Sequence, residues 1–175
     1  EASLRRSGGE APRVLIGTVM QDDTLFAGSI ADNICFFDPA PDRARIEECA
    51  RLAQIHDEIA AMAMGYHTLV GDMGTVLSGG QKQRLFLARA LYKQPRILIL
   101  DEATSHLDVD CEQAVNRAIQ SLALTRILIA HRPETILSAE RVVVLTGGKV
   151  VDDLSTAELL ARQAAASASA ETAAE

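Results

Sequence analysis

Residues 77–108 read LSGGQKQRLFLARALYKQPRILILDEATSHLD, and the fold is decided inside this stretch. Ser78 and Gln81 stand three apart at the head of an apolar-periodic run, the pattern of a capping box, so a helix starts at Ser78 and runs to about Tyr92. Gln94-Pro95 ends it, because a residue before proline is pushed out of helical backbone. RILIL (96–100) is a short, continuous apolar run, as in a parallel strand covered on both faces, and two acids, Asp101 and Glu102, follow it. Helix, covered strand, then paired carboxylates is one turn of an alternating α/β chain.

Working outward, VLIGTVM (14–20) is a β-branched strand that stops at Gln21, and TRILIA (125–130) is a second buried strand that stops at His131. From Pro41-Asp42, DRARIEECARLAQIHDEIAAM carries Ile46, Cys49, Ala50, Ala53 and Ile59 near helical spacing and is expected as one helix. MGYHTLVGDMGTV is loop-like, and DCEQAVNRAIQSL is helical. Pro133 opens a short helix, RVVVLTGGKVV reads as a hairpin about Gly147-Gly148, and Ser155 with Glu158 makes another capping box before a final helix. EASLRRSGGEAP (1–12) reads as a linker or ragged end, and AAASASAETAAE (164–175) as a low-complexity tail that frays.

Strands alternating with helices imply an α/β fold with a mainly parallel sheet. Ligands of such sheets bind beyond the carboxyl ends of the strands. Gln21, Asp101 with Glu102, and His131 are therefore expected to gather at one edge.

The 175 residues suit one domain, or one domain with a subdomain; 48% hydrophobic and 23% charged residues are ordinary for a globular chain. A net charge of −7 argues against nucleic acid as a main partner, which needs a basic field. Cys35, Cys49 and Cys111 are far apart and lack metal-site spacing, so they read as buried free thiols of a reducing compartment. No apolar run approaches the ~18 residues that cross a bilayer, so the expectation is a chain without a transmembrane segment, soluble and cytoplasmic.

A hydrophobic strand ending in adjacent carboxylates suits Mg²⁺, with the aspartate toward the metal and the neighbouring acid set to polarise an attacking water. His131 could donate to a phosphate oxygen and Gln21 could ligate Mg²⁺ or position water, although alone each is more often an ordinary loop residue. Ser78, Gly79 and Gly80 offer backbone N–H groups at a helix start, where an anion is favoured. A plain capping box explains Ser78 and Gln81 but not two glycines, each costing about 1 kcal/mol of helix stability relative to alanine. Yet the 175 residues contain no GxxxxGK[ST] phosphate loop; the one Gly-Lys pair, Gly148-Lys149, is followed by Val150.

Together these residues resemble the nucleotide-binding domain of ABC transporters. LSGGQKQR is similar to the ABC signature, ILILDEAT to its Walker B, SHLD (105–108) to its D-loop, His131 to its switch histidine, and VMQDDTLFAGSIADNI to the Q-loop of exporters. The resemblance runs from about Val14 to Leu160. QDDTLFAGSIADNI, GDMGTVLSGGQKQR, DEATSHLDV and AHRPETI look like the bacteriocin or peptide exporter branch, similar to colicin V secretion proteins with an N-terminal peptidase domain. Most exporters carry alanine where His106 stands; it is either a branch trait or a tolerated surface residue.

The resemblance implies a three-layer P-loop NTPase fold of the ABC ATPase type, truncated at its N-terminal strands. It places the partial ATP-binding domain at 13–163, with a helical signature subdomain at about 40–90. Two such domains meet head to tail around two ATP molecules. Asp101 would hold Mg²⁺ with Gln21, Glu102 would be the general base, and His131 would contact the γ-phosphate. Ser78, Gly79, Gly80 and Gln81 would close on ATP across the dimer, and Asp108 would bridge the subunits. Its partners would be a second ATPase domain and an exporter's transmembrane domain, at the cytoplasmic face of the inner or plasma membrane.

The departure is the family's Walker A and A-loop aromatic, whose place upstream of the Q-loop is absent or taken by EASLRRSGGEAP. It leads to the expectation of a C-terminal part of a longer exporter, weak in ATP binding and inactive alone. Two rivals remain: a soluble ABC ATPase acting on DNA or ribosomes, and a non-catalytic module that donates its signature to a partner or inhibits it.

Overall fold

The computed structural model describes residues 16–71 and 76–162. In chain order it contains β1 (Ile16–Val19), β2 (Gly28–Ser29), α1 (Ile30–Cys35), α2 (Arg43–Leu52), α3 (His56–Ala61), a 3-10 turn at Gly65–His67 and β3 (Leu69–Val70). There follow α4 (Gly79–Tyr92), β4 (Ile97–Asp101), α5 (Val109–Gln120), β5 (Thr125–Ile129), α6 (Pro133–Leu137), β6 (Arg141–Thr146) and β7 (Lys149–Ser155), with residues 156–162 helical. The chain divides into two compact units, one up to Ile129 and one from Ala130. The expected linker 1–12, the first two residues of the strand begun at Val14, the loop residues 72–75 and the tail 164–175 lie outside the described residues.

In the first unit β1, β4 and β5 form a parallel sheet in that order, with Val19 opposite Leu100 and Asp101 opposite Ile129. Paired residues share a face, so Gly17, Val19, Leu98 and Leu100 form one side, and all four are buried. Burying each of these three aliphatic side chains contributes roughly 2 kcal/mol. Gly17 sits so close to α4 that an added Cβ would lie 3.0 Å from the Ala90 carbonyl oxygen. A strand this near a helix needs glycine there. On the opposite face Ile16, Ile127 and Ile129 are exposed, which corrects the expectation of strands covered on both sides. The period-free apolar runs are real, but among the described residues α4 packs on one face only.

The expected single helix after Pro41 is two. Asp42 caps α2 as read, its carboxylate accepting from the Arg45 N–H at 3.1 Å. The chain then reverses at Gln54, whose φ of 56° is left-handed, and this folds Ile55 into the core, 1% exposed. The Ile55 N–H returns to the Ala50 carbonyl at 2.9 Å, closing the end of α2 before α3 begins. Apolar spacing alone could not reveal this, since every apolar position stays inside. α1 was not expected either; its start carries a complete capping box, with Ser29 Oγ accepting from the Asp32 N–H at 3.1 Å and Asp32 Oδ2 from the Ser29 N–H at 2.9 Å.

Cys35 and Cys49 are buried as expected, whereas Cys111 is partly exposed. Burial pushes the Cys49 thiol up to about 11, which keeps it unreactive. In the second unit Pro133 opens α6, and the β6–β7 hairpin turns at Gly147 and Gly148, both at positive φ as a tight hairpin turn requires. Ser155 and Glu158 form the expected capping box: the Ser155 N–H donates to Glu158 Oε2 at 2.8 Å, and the Glu158 N–H to Ser155 Oγ at 3.2 Å.

Candidate functional site

Helix α4 begins at Ser78. Its hydroxyl oxygen accepts from the Gln81 N–H at 3.2 Å, and the Gln81 side-chain oxygen accepts from the Ser78 N–H at 2.9 Å. The box is complete, but no acidic residue stands in the first turn, so the positive end of the helix keeps its full field. Gly79 and Gly80 have a packing reason as well as any functional one. A Cβ on Gly80 would lie 3.0 Å from the His106 carbonyl oxygen and 3.3 Å from Leu107 Cδ2; one on Gly79 would lie 3.2 Å from His106 Cδ2. The turn after Asp101 lies flat on the glycines.

The Gln81 amide nitrogen donates to Glu58 Oε2 at 2.8 Å. Arg84 donates to Glu58 Oε1 at 2.5 Å and to the Gln54 carbonyl at 2.6 Å, so both sides of the break between α2 and α3 are tied to the helix start. Burial acts to raise the Glu58 carboxyl, but the hydrogen bonds from Arg84 and Gln81 outweigh it and hold the group below the usual carboxylate range.

Asp101 closes β4, and Glu102 follows with φ 50°, a left-handed backbone that a residue with a Cβ rarely takes. Its N–H donates to the Ile129 carbonyl at 3.0 Å, and its own carbonyl accepts from the Ser105 N–H at 3.1 Å and the Gln83 amide nitrogen at 3.1 Å. Gln83 reaches further: the same nitrogen lies 2.9 Å from Ser105 Oγ and 2.9 Å from His106 Nδ1, while its oxygen accepts from the His106 N–H at 3.0 Å. Since that oxygen faces an N–H, the amide orientation is fixed, and His106 Nδ1 also lies 3.2 Å from Ser105 Oγ.

Gln21 is exposed in the turn after β1, whose Met20 N–H donates to Asp23 Oδ2 at 2.9 Å. Val19 pairs with Leu100, and Gln21 and Glu102 each follow that pair by two residues on the same sheet edge. His131 follows Ile129 by two residues along the chain and belongs to the second unit. Asp108 caps α5, its Oδ1 accepting from the Cys111 N–H at 2.9 Å, and buried Glu112 accepts from the Thr104 hydroxyl at 3.0 Å. The first unit thus brings together the helix start 78–81 and the turn 102–108, with Gln21 and Asp101 along one edge.

Sequence reading missed Gln83, Glu58 and Arg84, and also Arg89. Arg89 donates to the Asn33 carbonyl at 2.9 Å, to Asn33 Oδ1 at 2.8 Å and to the Thr24 carbonyl at 3.1 Å, with its guanidinium over the rings of Phe26, Phe36 and Phe86. Burial lowers its pKa. Polar side chains recurring inside the apolar period of α4 were the available signal.

A family model described as ABC transporter matches residues 2–105, more than half of the chain. The chain belongs to the ABC transporter family. It is 54% identical, over 80% of its length, to a probable microcin-H47 secretion/processing ATP-binding protein of Escherichia coli and to the colicin V secretion/processing ATP-binding protein of the same organism. It is 49% identical over 83% of its length to an ATP-dependent lipid A-core flippase of Burkholderia pseudomallei. Among solved structures it matches a bacterial Atm1-family ABC exporter with ATP bound, with a TM-score of 0.80 and 41% identity over 86% of this chain and 27% of that one. The ABC ATPase fold and the likeness to the bacteriocin secretion branch stand as expected. The chain spans about a fifth of the length of the two secretion proteins, 20% of each. No helix among the described residues is long and apolar enough to cross a membrane.

Proposed function

We propose that this chain is the ATP-binding and ATP-hydrolysing region of an exporter and that it works by sharing a site. Ser78, Gly79, Gly80 and Gln81 close on a nucleotide held by a second ABC domain, and Asp108 bridges the two. The observation that carries this reading is the start of α4, a complete capping box with no acid in the helix's own first turn, whose two glycines let the turn 102–108 lie directly against it. On the chain's own side Glu102 takes the proton of the attacking water and His131 contacts the γ-phosphate. Asp101 and Gln21 are oxygen donors of the kind Mg²⁺ takes in ones and twos, the rest of its shell coming from phosphate and water. When bound, the ion neutralises charge on the phosphates. Residues of about 40–90 form the helical subdomain within a partial domain of 13–163, and the aromatic surface of Phe26, Phe36 and Phe37 around Arg89 faces the transmembrane partner at the cytoplasmic side of the membrane. The likeness to the microcin-H47 and colicin V secretion/processing proteins supports a peptide of that type as cargo.

The test is Mg²⁺-dependent ATP hydrolysis by the protein as its native gene encodes it. Glu102→Gln is expected to lower kcat on the order of 10² to 10⁴-fold, the usual worth of a general base. Undiminished turnover would overturn the role of Glu102. The 175 residues by themselves, which contain no GxxxxGK[ST], are expected to bind ATP weakly without turnover. The complete capping box at the signature also suits a second reading, in which the chain lends its signature to a partner or blocks it. Adding the chain to the colicin V secretion protein and following its ATPase rate separates them, since only a donor or inhibitor changes that rate.

A further inference from the structure

We infer that Gln83 is a positioning residue for Glu102, holding the turn 102–106 rigidly on the signature helix. The inference rests on the proposed role of Glu102. A left-handed glutamate costs of order 1 kcal/mol or more and persists only where its surroundings over-determine it. Here three hydrogen bonds fix its peptide groups, and of their partners only Gln83 lies on another helix: Ile129 is on the neighbouring strand and Ser105 is in the turn itself. The same amide binds the far end of the turn through His106, so a single side chain spans it from Glu102 to His106. Gln83 sits one turn along α4 from Ser78–Gln81. The chain's two proposed contributions therefore move as one body: the signature, offered to a partner's nucleotide, and the carboxylate, serving its own. Displacing either shifts the other, which gives a direct mechanical link between two ATP sites. Gly80 completes the clamp, since its missing Cβ lets the His106 carbonyl approach.

Two substitutions divide the amide. Gln83→Met keeps length and volume but removes both halves. Gln83→Glu keeps the acceptor for the His106 N–H and removes the donors to the Glu102 carbonyl and Ser105. In the native protein both are expected to lower kcat for ATP on the order of 10²-fold, the effect of a misplacement of about 1 Å, with KM little changed. Amide hydrogen exchange on the 175-residue chain supplies the second readout. Glu102 and Ser105 are expected to exchange roughly fivefold faster in both variants, as befits the loss of a hydrogen bond of about 1 kcal/mol, while His106 stays protected in Gln83→Glu alone. A general loss of structure would speed all three in both variants and overturn the inference, as would an unchanged kcat or unchanged exchange. If Glu102→Gln leaves hydrolysis intact, the functional reading fails, and exchange still judges the clamp. If Glu102→Gln is dead while Gln83→Met is fully active, only the clamp fails.

Discussion

Helices α1 and α4 start with the same device and differ in one charge. Each has a serine cap whose hydroxyl takes the N–H three residues on, and a side chain at that position returning to the serine N–H. In α1 the returning side chain is Asp32, which also accepts from the Ser29 hydroxyl at 2.6 Å, so a full negative charge rests on the helix end. In α4 it is Gln81, a neutral amide, and the carboxylate that meets it, Glu58, comes from α3 and is shared with Arg84. The box around Ser155 likewise closes with an acid, Glu158. A box with an acid is a finished joint. A box with an amide keeps the geometry without adding a charge of its own to the helix end.

The largest effect is expected from making the two ends alike. Gln81→Glu keeps the box, because an anion suits a helix start, but it gives up the hydrogen bond to Glu58 and sets a second carboxylate beside it, where the partner's phosphates would lie. Like charges in an interface cost several kcal/mol, so nucleotide-driven pairing of ABC domains should weaken roughly 10²-fold or more, measurable by ATP-dependent association. Unweakened pairing would mean that the open helix end is not the anion surface.

Next in size is the contrast between the glycines. Gly80→Ala drives a methyl against the His106 carbonyl and is expected to cost about 1 to 3 kcal/mol, read as a lower melting temperature, despite alanine's better helix propensity. Gly79→Ala meets only side-chain atoms of His106, the nearest at 3.2 Å and none of them backbone, and is expected to cost less than Gly80→Ala. Equal effects would dissolve the packing account.

The smallest effect belongs to α1. Asp32→Asn should cost about 1 kcal/mol at neutral pH. Hydrogen bonds from the Ser29 hydroxyl and N–H lower the Asp32 carboxyl below its ordinary 3.8. Its contribution is thus complete above that value and is lost as pH falls through the lowered folded value. The gap between wild type and variant should close on acidification below about pH 4, followed by urea melts across that range. No such dependence is expected at the start of α4 from Gln81.

Much of this was legible because it is local. Ser78, Gln81 and Pro95 bound α4, Asp42 caps α2, and Gly147-Gly148 turns the hairpin, each through a neighbour within a few residues. The start of α1 was written in the same code at Ser29 and Asp32 and was passed over. The break at Gln54 was not legible, because a left-handed glutamine carries no composition signal; Arg84 binding its carbonyl from 30 residues away helps hold it. Nor was the clamp at Gln83, whose partners lie 19 to 23 residues on. Of the expected site, Ser78–Gln81 and Asp101–Glu102 were readable as strand and helix ends, while their mutual support came only from tertiary contact.

Glu102 also sets two kinds of selection against each other. Glycine at that position would accept φ 50° without strain, so a lineage freed from the need to turn over nucleotide would gain of order 1 kcal/mol by losing the side chain. A glutamate kept in that conformation works against folding, a cost that its proposed part in hydrolysis would account for.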